Sequence, residues 1–300
     1  MFSNKNIPPQ SGKTFIVTGA NTGLGFETAL ALYKAGANVI IACRNLQKAE
    51  QAIVKLKKSD GSGTLESGVL DLSDLNSVKQ FADAFLQNHQ RLDVLINNAA
   101  VATPPAMFTT QGFELQFGVN FLGHFALAGL LYPLLQATKG SRIISLTSNG
   151  YQNTTIDFDN LKSEKDYNPL REYRQSKLAT LIFSIELDRR IIAKGQQVLS
   201  IAVQPGANKT DLTRHSSEEE IAKGIERIGG FMEPWQGALC TLYASLSDEA
   251  QGGSMYEPDG NNGYSGYPTL ATIQRNAKDS VVAKKLWELA EKITEIYFPV

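Results

Sequence analysis

Tyr173 and Lys177 in "YRQSK" stand four residues apart, so on a helix they share one face. A phenol with its ordinary pKa of about 10 exchanges protons usefully only when that value falls toward neutrality. An ammonium on the same face favours the tyrosinate and lowers it. The pair is the single Y-x-x-x-K of the sequence, but a plain surface pair has the same spacing and alone would be the better reading. Ser148 closes the apolar run "RIISLTS" (142–148). Its hydroxyl can hold a substrate oxygen and stabilise charge developing there, or it can close the strand on local backbone. Strand alternation turns its neighbour Thr147 to the other side. A Ser-His hydrolase is disfavoured, because Leu146 stands where G-x-S-x-G needs its first glycine.

A second constellation lies near the start. "TFIVTGANTGLG" (14–25) runs from an apolar strand pattern into Gly19, Gly23 and Gly25. A glycine turn between strand and helix lets backbone N–H groups approach a phosphate, and the helix points its positive end at the same anion. The spacing is G-x-x-x-G-x-G rather than G-x-G-x-x-G; a tight turn without ligand is the alternative. "SGKT" (11–14) is not a P-loop, since Ile7 occupies the position of its first glycine and the segment precedes the strand. Arg44 follows the next strand pattern, "NVIIAC" (38–43), where an NAD site would place Asp or Glu for the ribose hydroxyl. Ala42 and Cys43 are not acidic, and a guanidinium suits a 2′-phosphate. This favours NADP(H) over NAD(H); a solvated surface arginine is the alternative.

The elements that must position these residues follow a β-α-β pattern. Apolar runs at 14–19, 38–43, 92–99, 142–148 and 198–204, with a weaker one spoiled by Gly68, alternate with helical patterns near 74–89, 111–136, 171–193 and 236–247. Strands apolar throughout belong to a parallel sheet covered on both faces. The expected fold is α/β, a single Rossmann-type doubly wound parallel sheet of about seven strands with helices on both faces. No linker divides residues 1–300 into two cores; 150–172 reads as a substrate loop, 207–232 as a lid and 279–296 as an amphipathic C-terminal helix. The charge of −1, from 29 basic and 30 acidic residues, argues against nucleic acid or an anionic membrane as the main partner. The lone cysteines Cys43 and Cys240 have no metal spacing and fit a reducing compartment. "FLGHFALAGLLYPLL" comes nearest to a membrane span but is short. A cytoplasmic protein without a membrane anchor is expected.

Together these residues resemble the short-chain dehydrogenase/reductase family. "TGANTGLG" (18–25), "DL" (71–72), "NNAA" (97–100), "VNFLGHF" with Asn120, "SLTS" with Ser148, "YRQSK" and "PGANKT" (205–210) occur in family order over about 200 residues. "ACRN", "VNFLGHF" and "YRQSK" are most similar to the retinol-dehydrogenase-like and protochlorophyllide-reductase-like branch; Ala100 departs from the usual glycine. The resemblance implies an NADP(H)-dependent oxidoreductase interconverting a carbonyl and an alcohol, on a bulky apolar small molecule. It implies a catalytic set of Asn120, Ser148, Tyr173 and Lys177, Asn120 holding a water that relays protons to the lysine. It assigns cofactor contacts to Gly19, Asn21, Thr22, Gly23, Leu24, Gly25, Arg44, Asp71, Leu72, Asn98, Ala99, Tyr173, Lys177, Pro205, Gly206 and Thr210. It allows a homodimer through the helices near 111–136 and 171–193. No metal site is expected: His124 reads as structural, and His89 and His215 as surface or loop residues. Tyr151 is either a pocket wall or a packed aromatic. A redox-sensing NADP binder without turnover and a protochlorophyllide-reductase-like double-bond reductase are the alternatives.

Overall fold

Short β-branched runs bounded by glycine and asparagine build the sheet. The computed structural model describes residues 2–4, 6–213 and 218–300. Strands β1 (Thr14–Thr18), β2 (Asn38–Cys43), β3 (Thr64–Val69), β4 (Val94–Asn97), β5 (Arg142–Leu146), β6 (Leu199–Val203), β7 (Met255–Gly260) and β8 (Ser265–Leu270) lie in the order β3-β2-β1-β4-β5-β6-β7-β8. All neighbours pair parallel except β7 and β8. The sheet therefore has eight strands among the described residues, against about seven expected. The extra edge hairpin pairs Pro258 with Pro268 across a bulge. Its prolines hide it from strand patterning, and an edge tolerates them. The weak β3 is real: a side chain at Gly68 would overlap the Phe81 ring.

Helices α1 (Gly23–Lys34), α2 (Leu46–Leu56) and α8 (Pro234–Leu246) cover one face, against Phe15, Val17, Val39, Ile41 and Ile144. Helices α3 (Leu75–Asn88), α5 (Gly123–Ala137) and α6 (Pro169–Ala193) cover the other, against Ile16, Ile40, Leu95 and Ile143. The pattern at 111–136 resolves into a short α4 (Leu115–Phe117), a π-helical turn (Gly118–Leu122) and α5, because the Glu114 carboxylate accepts from Phe117 N–H and starts the helix there. Leu115–Ala137 is long and apolar enough to cross a membrane, yet 83% of its most apolar window is buried inside the fold, as in a core helix. Helix α6 begins two residues before the sequence pattern, where Asn168 caps Leu170 and Arg171 N–H. In the region expected as a lid lie a short turn at Asp211–Thr213 and α7 (Glu218–Ile228); residues 214–217, including His215, fall outside the described part.

The C-terminal helix α9 (Ser280–Thr294) and the tail after it lie over α5 and α6. Trp287 and Phe298 are buried against Phe125 and Phe183. Gly129 makes room for this strap: a side chain there would come within 2.5 Å of Ile296 and 3.0 Å of Phe298. The surface through which the resemblance expects pairing is thus covered in part by the chain's own end.

Sequence order reverses at β1, which lies between β2 and β4. In such sheets a crevice opens beyond the carboxyl ends of the strands at the switch point.

Candidate functional site

That crevice is a cleft of about 640 Å³. Its floor is the glycine turn. Gly19 (φ +67°) and Gly23 (φ +58°) occupy the left-handed region that favours glycine. Gly19 N–H donates to Ala42 O at 2.7 Å, which ties the end of β1 to β2. Gly25 is needed for space: a side chain would fall 2.5 Å from Asn98 Nδ2 and 2.7 Å from Gly19 O. The first turn of α1 carries no side-chain cap and no acidic residue, so its N–H groups and positive end face the cleft. The opposite lip is Pro205, Gly206 and Thr210, with the Thr210 methyl 3.3 Å from where a Gly23 side chain would begin.

Every expected cofactor contact lines this cleft except two: Asp71 and Leu72 are not on its wall. Asp71 instead accepts from the Ser73 N–H (2.9 Å) and hydroxyl (2.6 Å), and Leu72 is buried. Among the further lining residues, Lys48, Leu212 and Phe231 were not singled out in the sequence. Lys48 sits four residues after Arg44, in the first turns of α2, where Asn45 accepts from its N–H at 2.9 Å. Arg44 precedes the N-cap Asn45, so helix spacing does not link the two positions and the fold brings them together. Leu212 and Phe231 come from the segment expected as a lid and carry no motif. No residue of 150–172 lines the cleft. Tyr151 is fully buried with its hydroxyl accepting from Gln274 N–H at 3.3 Å, which makes it a packed aromatic.

The reactive group assembles from two elements. Ser148 lies just past β5 in extended conformation (φ −160°), and its hydroxyl accepts from Gly150 N–H at 3.1 Å. The backbone-closing reading of Ser148 is the one this bond shows. Lys177 is 3% exposed and donates to Leu146 O at 2.9 Å. Its ammonium lies 5.9 Å from the centre of the Tyr173 ring. Burial pushes Lys177 down to about 8 and pushes the Tyr173 phenol up, partly offset by the Ser148 hydroxyl. Burial thus sets the direction of both shifts in the protein alone. Thr147, whose hydroxyl donates to Lys177 O at 2.7 Å, fixes the backbone of that turn.

Asn120 is the member of the expected set that does not reach the cleft. It is 1% exposed in the π-helical turn. Its amide accepts from Val101 N–H (2.8 Å) and donates to Val101 O (3.0 Å) and to the Ser176 hydroxyl (2.9 Å). Its carbonyl accepts from Thr180 (3.1 Å) and from His124 Nδ1 (3.2 Å). A carbonyl only accepts, so His124 Nδ1 carries the proton and Nε2 accepts from the Thr18 hydroxyl at 2.9 Å. The same hydroxyl receives Asn98 and Ala99 N–H at 2.9 Å each. His124 is therefore a neutral brace between β1, the 98–99 turn and the Asn120 turn, as the sequence reading had it. Burial lowers it to about 3.

That brace has a pH signature. Between about pH 6.5 and 3 the unfolded histidine takes a proton that the folded one refuses, so stability is lost as pH falls through this window. The expected slope from this group is about 1.4 kcal/mol per pH unit. Urea unfolding from pH 7 to 4 should show that slope shallower in His124→Gln; parallel profiles would remove His124 as the cause.

Among the described residues no group of three or more His, Cys, Asp or Glu is placed to hold a metal. The short chain dehydrogenase family model matches residues 13–221. Human retinol dehydrogenase 14 is 39% identical over 296 residues, spanning 93% of this chain and 85% of that protein. A short-chain dehydrogenase/reductase of Armillaria gallica is 39% identical over 303 residues, spanning 97% and 93%. The crystal structure of an uncharacterized protein from Mycobacterium Paratuberculosis superposes with a TM-score of 0.83 at 36% identity, covering 100% of this chain and 99% of that one. With the glycine turn, the Ser148–Tyr173–Lys177 cluster and the parallel sheet in place, the chain belongs to the short-chain dehydrogenases, oxidoreductases that use NAD(P)(H), and within them it is retinol-dehydrogenase-like.

Proposed function

We propose that the protein is an NADP(H)-dependent oxidoreductase that interconverts a bulky apolar carbonyl compound and its alcohol. The observation that carries this reading is the convergence in one cleft of an uncapped helix N-terminus, the three cations Arg44, Lys48 and Lys177, and the Tyr173 phenol. The cradle fits a dinucleotide: left-handed glycines clear its floor, and α1 presents unbonded N–H groups to a diphosphate. When bound, the nicotinamide supplies the hydride acceptor or donor. Tyr173 moves the proton at its phenolic oxygen, Ser148 orients the substrate oxygen, and Lys177 holds the ribose and favours the tyrosinate. Leu146, Leu212 and Phe231 give the same cleft an apolar lining, in keeping with relatives named for retinol.

Arg44 and Lys48 support the preference for NADP(H). Both line the cleft past β2, and the one carboxylate among its lining residues, Asp211, lies on the lip beside Thr210. A charge-assisted bond to a phosphate contributes about 1.5–3 kcal/mol. Arg44→Ala should therefore weaken NADPH binding roughly 10- to 100-fold and leave NADH nearly unchanged. Titration of both nucleotides by fluorescence measures the ratio; equal losses for the two would remove the 2′-phosphate from the reading.

The reaction is tested by NADPH oxidation with long-chain and polyene aldehydes, bulky ketones and small polar carbonyls, in light and dark. Turnover in the dark with the apolar carbonyls is expected. Tight NADPH binding with no turnover across the panel would favour a redox-sensing binder, and turnover only under illumination would favour double-bond reduction.

A further inference from the structure

The edge hairpin of β7 and β8 takes no part in the proposed chemistry, yet its turn reaches the cleft. Strand β7 runs parallel to β6, so its end at Gly260 falls on the carboxyl edge of the sheet, where the cleft opens. The next residues take a run of left-handed angles: Asn261 φ +49°, Asn262 φ +54° and Gly263 φ +83°. Asparagine and glycine are the residues that visit this region most readily. Gly263 is also required for space, since a side chain there would come within 2.6 Å of Glu257 Oε2 and 3.1 Å of Gln204 Nε2. Tyr264 N–H closes the turn on Asn261 O at 3.1 Å. Three successive carbonyls then accept from residues that flank the cleft. Asn262 O accepts from Asn149 Nδ2 at 3.3 Å, one residue past Ser148. Gly263 O accepts from Gln204 Nε2 at 2.7 Å, and Tyr264 O from Ala207 N–H at 3.0 Å.

Resting on the proposed function, we propose that the 261–264 turn positions the cleft through two side chains, Gln204 for the cofactor lip and Asn261 for the Phe231 side. Gln204 is 2% exposed, and its Oε1 accepts from Gly206 N–H. One carboxamide thus joins the lip to the turn, because it alone among uncharged side chains of that length offers a donor and an acceptor together. The lip already rests against the turn: a side chain at Gly206 would sit 2.7 Å from Tyr264 O. On the other side Asn261 Nδ2 donates to Ile228 O, the last residue of α7. Gly229 and Gly230 follow (φ +73° and +118°), and then Phe231, which lines the cleft. Two glycines bring no side chains to fix that path, so the Asn261 bond is what ties it to the sheet edge. Neither Gln204 nor Asn261 lines the cleft, so each acts through a neighbour that does.

Gln204→Met keeps the length of the side chain and removes both bonds. It is expected to weaken NADPH and NADH by the same factor, about tenfold, because the lip meets what the two nucleotides share. Asn261→Gly keeps the left-handed turn without strain and removes only the amide. It should raise KM for bulky apolar carbonyls about tenfold and leave kcat and nucleotide affinity within about twofold, the pattern of lost uniform binding. Asn262→Gly makes the same backbone change one residue on, at an exposed side chain, and should leave KM in place. Hydrogen exchange at Gly229 and Gly230, whose N–H groups donate to Ile225 O at 2.8 and 3.2 Å, should quicken in Asn261→Gly and not in Asn262→Gly. Unchanged nucleotide affinities in Gln204→Met overturn the proposal; so do equal shifts of KM and exchange in the two glycine variants, which would reduce the turn to chain stiffness. Asn261 is exposed, so its variant carries the test if Gln204→Met does not fold. If no carbonyl is turned over, the proposed reaction fails, while nucleotide titration and exchange still decide the positioning.

Discussion

Tyr173→Phe is expected to lower NADPH-dependent carbonyl turnover by about 10²- to 10⁴-fold, the usual contribution of a positioned general acid, while NADPH binding stays within a few-fold. The substitution removes one oxygen and leaves the ring against Lys177, 5.9 Å from its ammonium. What goes is the phenolic oxygen and its proton. Ser148 keeps Gly150 N–H as a donor, so it is not left unsatisfied. A single-turnover experiment with pre-bound NADPH isolates the chemical step from release. A rate within tenfold of wild type would mean that the proton travels by another route. The predicted loss is large because the cleft offers few substitutes: Lys177 donates to Leu146 O, and the imidazole of His124 is committed on both nitrogens.

Trp287→Ala is expected to cost about 3–5 kcal/mol of stability, the range for removing a large buried aromatic. Trp287 is 2% exposed and is the centre of the strap's packing. Its ring centre lies 5.2 Å from Phe125, 5.0 Å from Phe298 and 6.1 Å from Phe183, and the Arg190 guanidinium stacks 4.2 Å above it. The indole N–H has no hydrogen-bond partner, so no hydrogen bond is lost with the ring, and the cost is packing, cavity and the Arg190 stack. Urea unfolding measures it directly. A loss under about 1 kcal/mol would mean that α9 is an ornament on the fold rather than part of its core. The consequence for function runs through α6: its inner face carries Tyr173 and Lys177, and its outer face is held by α9.

The positions that chemistry needs were legible because they obey local rules. Gly19 and Gly23 announce themselves since only glycine tolerates their backbone angles cheaply, and Tyr173 and Lys177 since helix periodicity puts them on one face. The strands β1, β2, β4, β5 and β6 were readable as uninterrupted apolar runs, which a sheet covered on both faces requires. Strands β7 and β8 were not, because their prolines and glycines suit an edge hairpin whose partner is set by the fold rather than by alternation. Other outcomes lay with tertiary structure alone. Asn120 turned inward, because Val101 and Ser176 meet it there; Asp71 turned to Ser73 instead of the cleft; Lys48 joined Arg44 on the cleft wall. The sign of the phenol's shift was decided in the same way. Spacing places Lys177 near Tyr173, but how much water surrounds the two groups depends on every element packed around them, and burial raises the phenol and lowers the ammonium. Residue type and interval thus determine which groups can act, whereas burial and the choice of hydrogen-bond partner, which are properties of the assembled chain, decide which of them face the cleft and in what protonation state.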